Sequence, residues 1–564
     1  MFGKKNIFVS VFADIVMRIL SINKLNKLYD DTYIAGDHIT TALLNELNVT
    51  VSLSEHSLKN IPVSGPAIVI VNHPTGALDG IMVVDIFTKI RQDAKFMGNF
   101  LLNRIEPMAK HFITVDPFNS KDKTTNQKGI RQSIEHLRNG GLLVIFPAGE
   151  VATWQKGFSR IEDKKWGSSI MRFIQKANVP VIPAWIEAKN SFLFHLAGKI
   201  SPMLRTAMLP RELVNKKNKK IHIRVGASIH PQAASELTDL KDYGNYLRAS
   251  VNYLQREKTV KKEVKNTSAR KKIKIIDPVP VELLCKEIES IRGSSYILSG
   301  DNYDLYLVAP GTTPNLLKEI GRLRESTFRN VGEGTLQEID NDSYDSYYYQ
   351  LLIWDSTAHA IVGAYRMGFG DKILKQHGIQ GFYTNTLFRI DKLMIPYMKK
   401  TIELGRTFID KDYQRKTLPL LLLWKAIFRI LVAYPEYEYL LGATSISEKY
   451  TNTSKLIIAN YLKKYHFNEK MSTFIKPVNG MKGIQTALDL SLVENVESME
   501  LISRLVMNAE DQERTIPVLI KKYLQLSSRV LSFNVDRNFC NSLDALMLLE
   551  VKNIPEDMLK MVSR

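Results

Sequence analysis

Two patterns of apolar and polar positions follow each other along this chain. Up to about residue 235, short unbroken apolar runs alternate with segments of helical period. The runs at 67–71, 142–146 and 181–185 carry no polar alternation, so they predict strands covered on both faces, and 221–226 predicts a further strand. Between them, 81–90, 127–138 and 166–177 repeat their apolar residues at three- and four-residue steps and predict helices. Residues 1–60 read as largely helical. Strands alternating with helices predict an α/β layer with its chemistry at the strand ends.

The second half is patterned differently. A strand at 305–308 precedes a helix at 313–329, and 350–355 with 360–367 form an antiparallel pair. A strand at 401–409, a turn at 412–419 and a strongly apolar helix at 420–432 follow. Between the halves lies a basic stretch with Lys258, Lys261, Lys262, Lys265, Arg270, Lys271, Lys272 and Lys274, closed by Asp277-Pro278-Val279-Pro280. The expected organisation is therefore an α/β domain over 1–255, a linker over 256–275 and a second α/β domain over 276–564, with no internal repeat.

Composition narrows the setting. With 77 Lys and Arg against 58 Asp and Glu, the chain carries a net charge of +19 and favours acidic partners. No nucleic-acid recognition motif accompanies the charge, so an anionic lipid surface or an acidic carrier protein is expected instead. Two cysteines, Cys285 and Cys540, give neither a disulfide framework nor a metal cluster. The apolar stretches 7–20 and 418–433 are interrupted by Asp14 and Arg18 and by Lys425 and Arg429, so no spanning segment or signal peptide is expected. Phe8, Phe12, Ile15, Ile19 and Ile22 fall on one helical face beside Arg18, Lys24 and Lys27. That face would either pack on its own domain or hold the protein peripherally on the cytoplasmic side of a membrane, and the basic linker would be a solvated tether or be drawn to anionic lipid.

The first candidate site is Asn72-His73-Pro74-Thr75-Gly76-Ala77-Leu78-Asp79, where an apolar strand breaks into a turn and a helix begins. An imidazole beside a carboxylate suits a general base. On a straight helix Asp79 would sit about 240° round from His73, so the turn must fold one toward the other. Phe146-Pro147-Ala148-Gly149-Glu150 and Val179-Pro180-Val181-Ile182-Pro183 are two further strand-end turns. In this order the three resemble the glycerolipid (PlsC-type) O-acyltransferase family over residues 45–235. The resemblance implies that His73 activates an acceptor hydroxyl toward an acyl thioester and that Asp79 orients it. It also implies that Asn72, Phe146, Pro147, Gly149 and Glu150 help hold the substrate. The chain departs from the pattern in three places: five residues separate His73 from Asp79, Glu150 follows the glycine, and only Phe112–Asp116 stands where a phosphate-binding arginine is expected. These departures resemble a haemolysin-like branch in which such a domain is fused to an N-acyltransferase.

The second candidate site is spread over some ninety residues: Arg324 and Phe328, Asp342 and Asp345, Arg366, then Glu403 and Arg406. Singly, each charge reads equally well as a surface ion pair. In this order they resemble the autoinducer-synthase and ornithine-lipid side of the GNAT N-acyltransferases, and 533–536 with 542–544 resemble that group's tail. Glu403 and Arg406 are three apart on a strand, so only a bulge would turn both to one wall. The turn Gln414–Pro419 lacks the glycines that cradle a coenzyme A pyrophosphate, which favours the singly phosphorylated pantetheine arm of acyl carrier protein over acyl-CoA.

Over nearly the whole chain the resemblance is to the bifunctional ornithine lipid synthases. It implies that the second domain places a 3-hydroxyacyl chain on an amino acid and that the first acylates the hydroxyl of that lyso-lipid. Glu403 would take the amine proton, and the arginines would hold a carboxylate or a phosphate. No bound cofactor or metal is implied; the acyl donor is acyl carrier protein or acyl-CoA. A lysophospholipid acyltransferase with an accessory N-acyltransferase-like domain is the alternative, and a membrane-perturbing protein without activity is a third reading.

Overall fold

The computed structural model describes residues 17–99, 106–115, 123–155, 160–255, 273–414, 416–486, 488–510 and 513–558. The chain divides into two compact units, Met1–Arg256 with Leu488–Thr515, and Glu257–Ala487 with Ile516–Arg564. The amphipathic face starting at Phe8 lies largely outside the described residues, as does most of the basic run 258–274.

The first unit is built on strands β1 (Thr50–Leu53), β2 (Ala67–Val71), β3 (Lys95–Asn99), β4 (Phe112–Val115) and β5 (Leu142–Ile145). A hairpin of β6 (Thr153–Gln155) and β7 (Arg160–Glu162) and the strands β8 (Val181–Ile186) and β9 (Lys220–Val225) follow. Seven of these form one sheet in the order β1-β9-β8-β2-β5-β3-β4, parallel except where β9 runs against β8. Every residue of β2 is buried, which is why its sequence is a continuous apolar run. The helix Ala77–Ile90 leaves β2 through the His73 turn and lays Met82, Val83 and Phe87 into the core. The first two motif turns therefore sit side by side at the ends of the paired strands β2 and β5.

One expectation changes. The second domain does not run unbroken over 276–564, because 488–515 folds onto the first unit. Helix Met499–Ala509 buries Leu501, Ile502, Leu505 and Val506. Asn508 fixes its place: it accepts from the Ala227 amide at 3.1 Å and donates to the Ser250 carbonyl at 3.1 Å. An amphipathic helix advertises that it packs, but not on which partner.

The second unit contains β10 (Tyr296–Gly300), β11 (Tyr303–Val308), β12 (Tyr349–Asp355), β13 (Ala360–Phe369), β14 (Phe388–Ile390) and β15 (Thr401–Ile409). It continues with β16 (Tyr439–Ile446), β17 (Ile475–Pro477), β18 (Arg529–Asp536) and β19 (Ser542–Glu550). Eight strands form one sheet, β10-β11-β12-β13-β15-β16-β19-β18, while β14 and β17 pair separately. All neighbours in the large sheet are antiparallel except β15 and β16. These two are joined through helix Leu418–Ala433 and pair only from Thr401↔Tyr439 to Glu403↔Leu441. Beyond Glu403 they part, and each carbonyl and amide there must find another partner.

Candidate functional site

In the first unit, Gly76 makes the turn that the His73–Asp79 spacing demands. Its φ of +91° lies where an L side chain is strained, and an added Cβ would come within 2.9 Å of Leu209. Helix Ala77–Ile90 then starts with Asp79 in its first turn, where a carboxylate suits unpaired amides. The Asp79 side chain is fully buried. It accepts from the amides of Thr75 (2.7 Å) and Gly76 (2.8 Å) and from the Thr75 hydroxyl. Its Oδ2 lies 2.9 Å from His73 Nδ1. With Nδ1 donating to Asp79, Nε2 is the nitrogen left to take a proton from an acceptor.

The Phe146–Glu150 turn packs against this pair. The Phe146 ring stacks on the His73 imidazole at 4.5 Å between centroids. Gly149 closes the turn, its amide donating to the Phe146 carbonyl at 3.0 Å, and adopts a left-handed φ of +67°. Glu150 is held by Lys164 at 2.9 Å and Arg205 at 2.8 Å. Burial opposes its ionisation, but those two cations outweigh it and hold the carboxyl below its usual range. Asn72 bonds to the chain itself. Its amide donates to the Ile186 carbonyl at 3.1 Å and accepts from the Ile186 amide at 2.6 Å, clamping the end of β2 to β8.

Sequence reasoning missed Asp163. This buried carboxylate accepts from the His73 backbone amide at 3.1 Å, from a position 90 residues away. Burial pushes it up to about 6, against the hydrogen bond from His73 and the charge of Arg248. No motif spacing points to it.

In the second unit, the residues scattered along the sequence come together. Arg324 is completely buried and donates to Asp345 (3.0 Å) and Gln350 (2.6 Å). Arg366 donates to Asp342 at 2.6 Å and lies 4.9 Å from the centroid of the Tyr383 ring. Arg406 pairs with Asp340 at 3.2 Å and lies over Tyr383 and Phe539. Phe328 meets Phe539 edge to face at 5.2 Å. These arginines are thus engaged by carboxylates of the chain itself. Among the described residues the buried Arg366 Nη2 has no hydrogen-bond partner, which makes it a donor available to a bound group.

Glu403 is only 2% exposed, and both of its oxygens are committed. It accepts from the amides of Tyr383 (3.1 Å) and Thr384 (2.6 Å) and from the Tyr348 hydroxyl. Burial lifts its carboxyl above the usual range despite these donors. The same burial, with Glu403 alongside, raises Tyr348 well above an ordinary tyrosine and keeps its hydroxyl protonated. Asp342, 26% exposed, is the more accessible carboxylate of the cluster. The tyrosines 344, 348 and 383 and Asp340 escaped the sequence reading, because a tyrosine-rich run has no spacing rule of its own.

Comparison with known proteins follows the same division. Residues 35–266 match the acyltransferase family, and residues 323–424 match the acetyltransferase (GNAT) domain. The chain is 29% identical over 300 residues to a glycine N(alpha)-acyltransferase of Phocaeicola vulgatus, covering 50% of this chain and 90% of that protein. It is 24% identical over 237 residues to a lyso-glycine lipid O-acyltransferase of the same organism, covering 40% of this chain and 82% of that protein. Among solved structures it is similar to the 1-acyl-sn-glycerophosphate acyltransferase PlsC of Thermotoga maritima. The identity there is 17%, with 43% of this chain and 88% of the other covered and a TM-score of 0.25. The chain is a mixed α/β acyltransferase that carries an acyltransferase domain followed by a GNAT domain. Both domain types draw on acyl donors such as acyl-CoA or acyl carrier protein and need no metal.

Proposed function

We propose that the two units acylate one acceptor in succession to make an aminolipid. The GNAT unit joins a 3-hydroxyacyl chain to the α-amine of an amino acid. The first unit then acylates the hydroxyl that this chain carries. The observation behind the reading is the pairing of His73 Nδ1 with the buried Asp79 at 2.9 Å, a base suited to a hydroxyl, on the same chain as a GNAT domain. The two relatives support it, one being named for N-acylation of glycine and the other for O-acylation of lyso-glycine lipid. Their names favour glycine over ornithine as the amino acid.

The chemistry divides by acidity. An α-amine has a pKa of about 8, so its proton leaves easily. Glu403 receives it through the Tyr348 hydroxyl, the group that donates to it. The amine nitrogen bonds to the thioester carbonyl carbon, the C–S bond breaks, and the thiol leaves with a proton. A hydroxyl is far less acidic. His73 Nε2 takes its proton as the oxygen attacks the second thioester, Asp79 steadies the imidazolium, and the proton passes to the leaving thiolate. Carrier-bound pantetheine is the donor that the glycine-free turn Gln414–Pro419 favours.

Expression of the full chain in a host without aminolipids, with lipid extracts read by mass spectrometry, tests the scheme. Wild type is expected to give the diacylated aminolipid, and feeding labelled glycine or ornithine identifies the amino acid. His73→Ala is expected to leave the N-acylated lyso-lipid as the end product. A folded His73→Ala chain that makes the diacyl lipid, or neither product, overturns the division of labour.

A further inference from the structure

The helices Phe192–Ile200 and Pro202–Ala207 carry six large apolar side chains in the open: Phe192, Leu193, Leu196, Ile200, Met203 and Leu204, each 36% to 82% exposed. The first helix is two-sided, because Phe194 and His195 are buried beneath it. An outward apolar face of this size on a soluble surface marks an interaction site. The surrounding stretch 187–220 holds eight Lys or Arg against two Glu; Arg205 and Lys216 pair inward, and Lys189, Lys199, Lys217, Lys219 and Lys220 are exposed. A basic margin around an apolar helical face fits an anionic bilayer surface, where apolar side chains enter the acyl boundary and cations meet phosphates.

Both helices are tied to the turns of the His73 site. Ser191 caps the first helix and is gripped by the buried Glu212, its amide at 2.9 Å and its hydroxyl at 2.5 Å. Lys216 bridges Glu212 (3.2 Å) to Asn190 (3.0 Å), and Asn190 donates to the carbonyl of Thr75 at 3.4 Å. Thr75 is the residue whose amide and hydroxyl hold Asp79. The second helix is tied by Arg205, which pairs with Glu150 beside the Phe146 turn. The exposed face therefore stands at a fixed offset from His73.

We propose that this helix pair is the lipid-entry element of the O-acyl site: it seats in the outer part of an anionic bilayer and sets His73 at the height of the lyso-lipid hydroxyl. The role in substrate delivery rests on the O-acylation reading above; the bilayer contact itself does not. It also gives Glu150 a part, as the tie between membrane helix and catalytic turn.

Vesicle flotation of the full chain on a phosphatidylglycerol–phosphatidylcholine mixture tests the contact without any substrate, so failure of the acylation scheme leaves the result intact. The triple variant Phe192→Ser, Ile200→Ser, Met203→Ser is expected to partition at least about tenfold more weakly while melting like wild type. An environment-sensitive dye reads the same point in a chain that retains the helices. Attached through Met203→Cys, with Cys285 and Cys540 replaced by serine, it is expected to shift to the blue on adding vesicles and to resist an aqueous quencher. Attached through Val518→Cys, an exposed position of the other unit, it should not respond. Unchanged partitioning of the triple variant, or a dye at position 203 that stays water-like with vesicles, overturns the proposal. So does a shift that comes from holo-acyl carrier protein or from raised protein concentration instead of lipid.

Discussion

Glu403 and Arg406 meet the same tyrosine although they lie on one strand at a spacing that should part them. Glu403 accepts from the Tyr383 amide at 3.1 Å, and Arg406 donates to the Tyr383 hydroxyl at 3.1 Å. The register of β13 on β15 explains it. Ala364 faces Phe408 and Arg366 faces Gly405, so two steps on β13 are matched by three on β15. The extra residue is a bulge, and Arg406 takes a left-handed φ of +48° to make it.

That backbone predicts an unusual order of severity among substitutions. Arg406→Ala leaves the buried Asp340 without its partner and keeps the left-handed strain, for a loss of about 3–5 kcal/mol. Arg406→Gly loses the same ion pair but relieves the strain, so it should be milder by about 1 kcal/mol. Urea unfolding of both variants measures the difference; equal losses would mean that the bulge stores no strain.

Glu403 makes a prediction in pH. A base works only when ionised, and burial has lifted this carboxyl above its ordinary range. N-acylation should therefore rise with pH through that lifted value. Glu403→Gln should abolish the rise and lower kcat by about 10²–10⁴-fold. The KM for the amino acid should change little, since both carboxylate oxygens already face the chain's own donors. A variant that keeps the wild-type pH profile would remove Glu403 from the proton path.

Asn72 shows where motif reading stops. The sequence marks the residue beside His73 but not the direction of its amide, which turns to Ile186. Asn72→Ala should cost about 1–3 kcal/mol by stranding the Ile186 amide, while the Ile186 carbonyl keeps the Ala188 amide at 3.0 Å, with KM values for donor and acceptor near wild type. A raised acceptor KM at unchanged stability would give Asn72 the substrate-binding role that the resemblance implies.

What the sequence discloses follows from how local each cause is. The span of β2 is readable because a strand buried on both faces must be apolar throughout, and its turn is readable because proline and glycine end it. The bend between His73 and Asp79 follows from helix geometry alone. The arginines 324, 366 and 406 are readable as types, but they stand on a helix, on β13 and on β15, and only the fold brings them to Asp345, Asp342 and Asp340. Helix Met499–Ala509 joins the first unit through Tyr246, Ser250 and Ala227, some 255 to 281 residues earlier in sequence. Asp163 is hidden for the same reason.

Asp163 yields the remaining prediction, with its sign fixed by linkage. Its carboxyl is raised from an ordinary 3.8 to about 6 in the folded chain. Below pH 4 it is protonated whether folded or not, and its contribution to stability is intact. Between about pH 4 and 6 the unfolded chain ionises first, so stability falls as pH rises; above 6 the loss is complete, on the order of 3 kcal/mol. Asp163→Asn cannot ionise and should lack this fall, gaining on wild type by that amount between pH 4 and 7 in urea unfolding. Its carbonyl oxygen can still accept the His73 amide, so O-acylation should survive in Asn and drop in Asp163→Leu, which offers no acceptor. Stability curves of wild type and Asp163→Asn that run parallel across that window would show that this carboxyl stays ionised in the fold. The tie to His73 would then be a charged one.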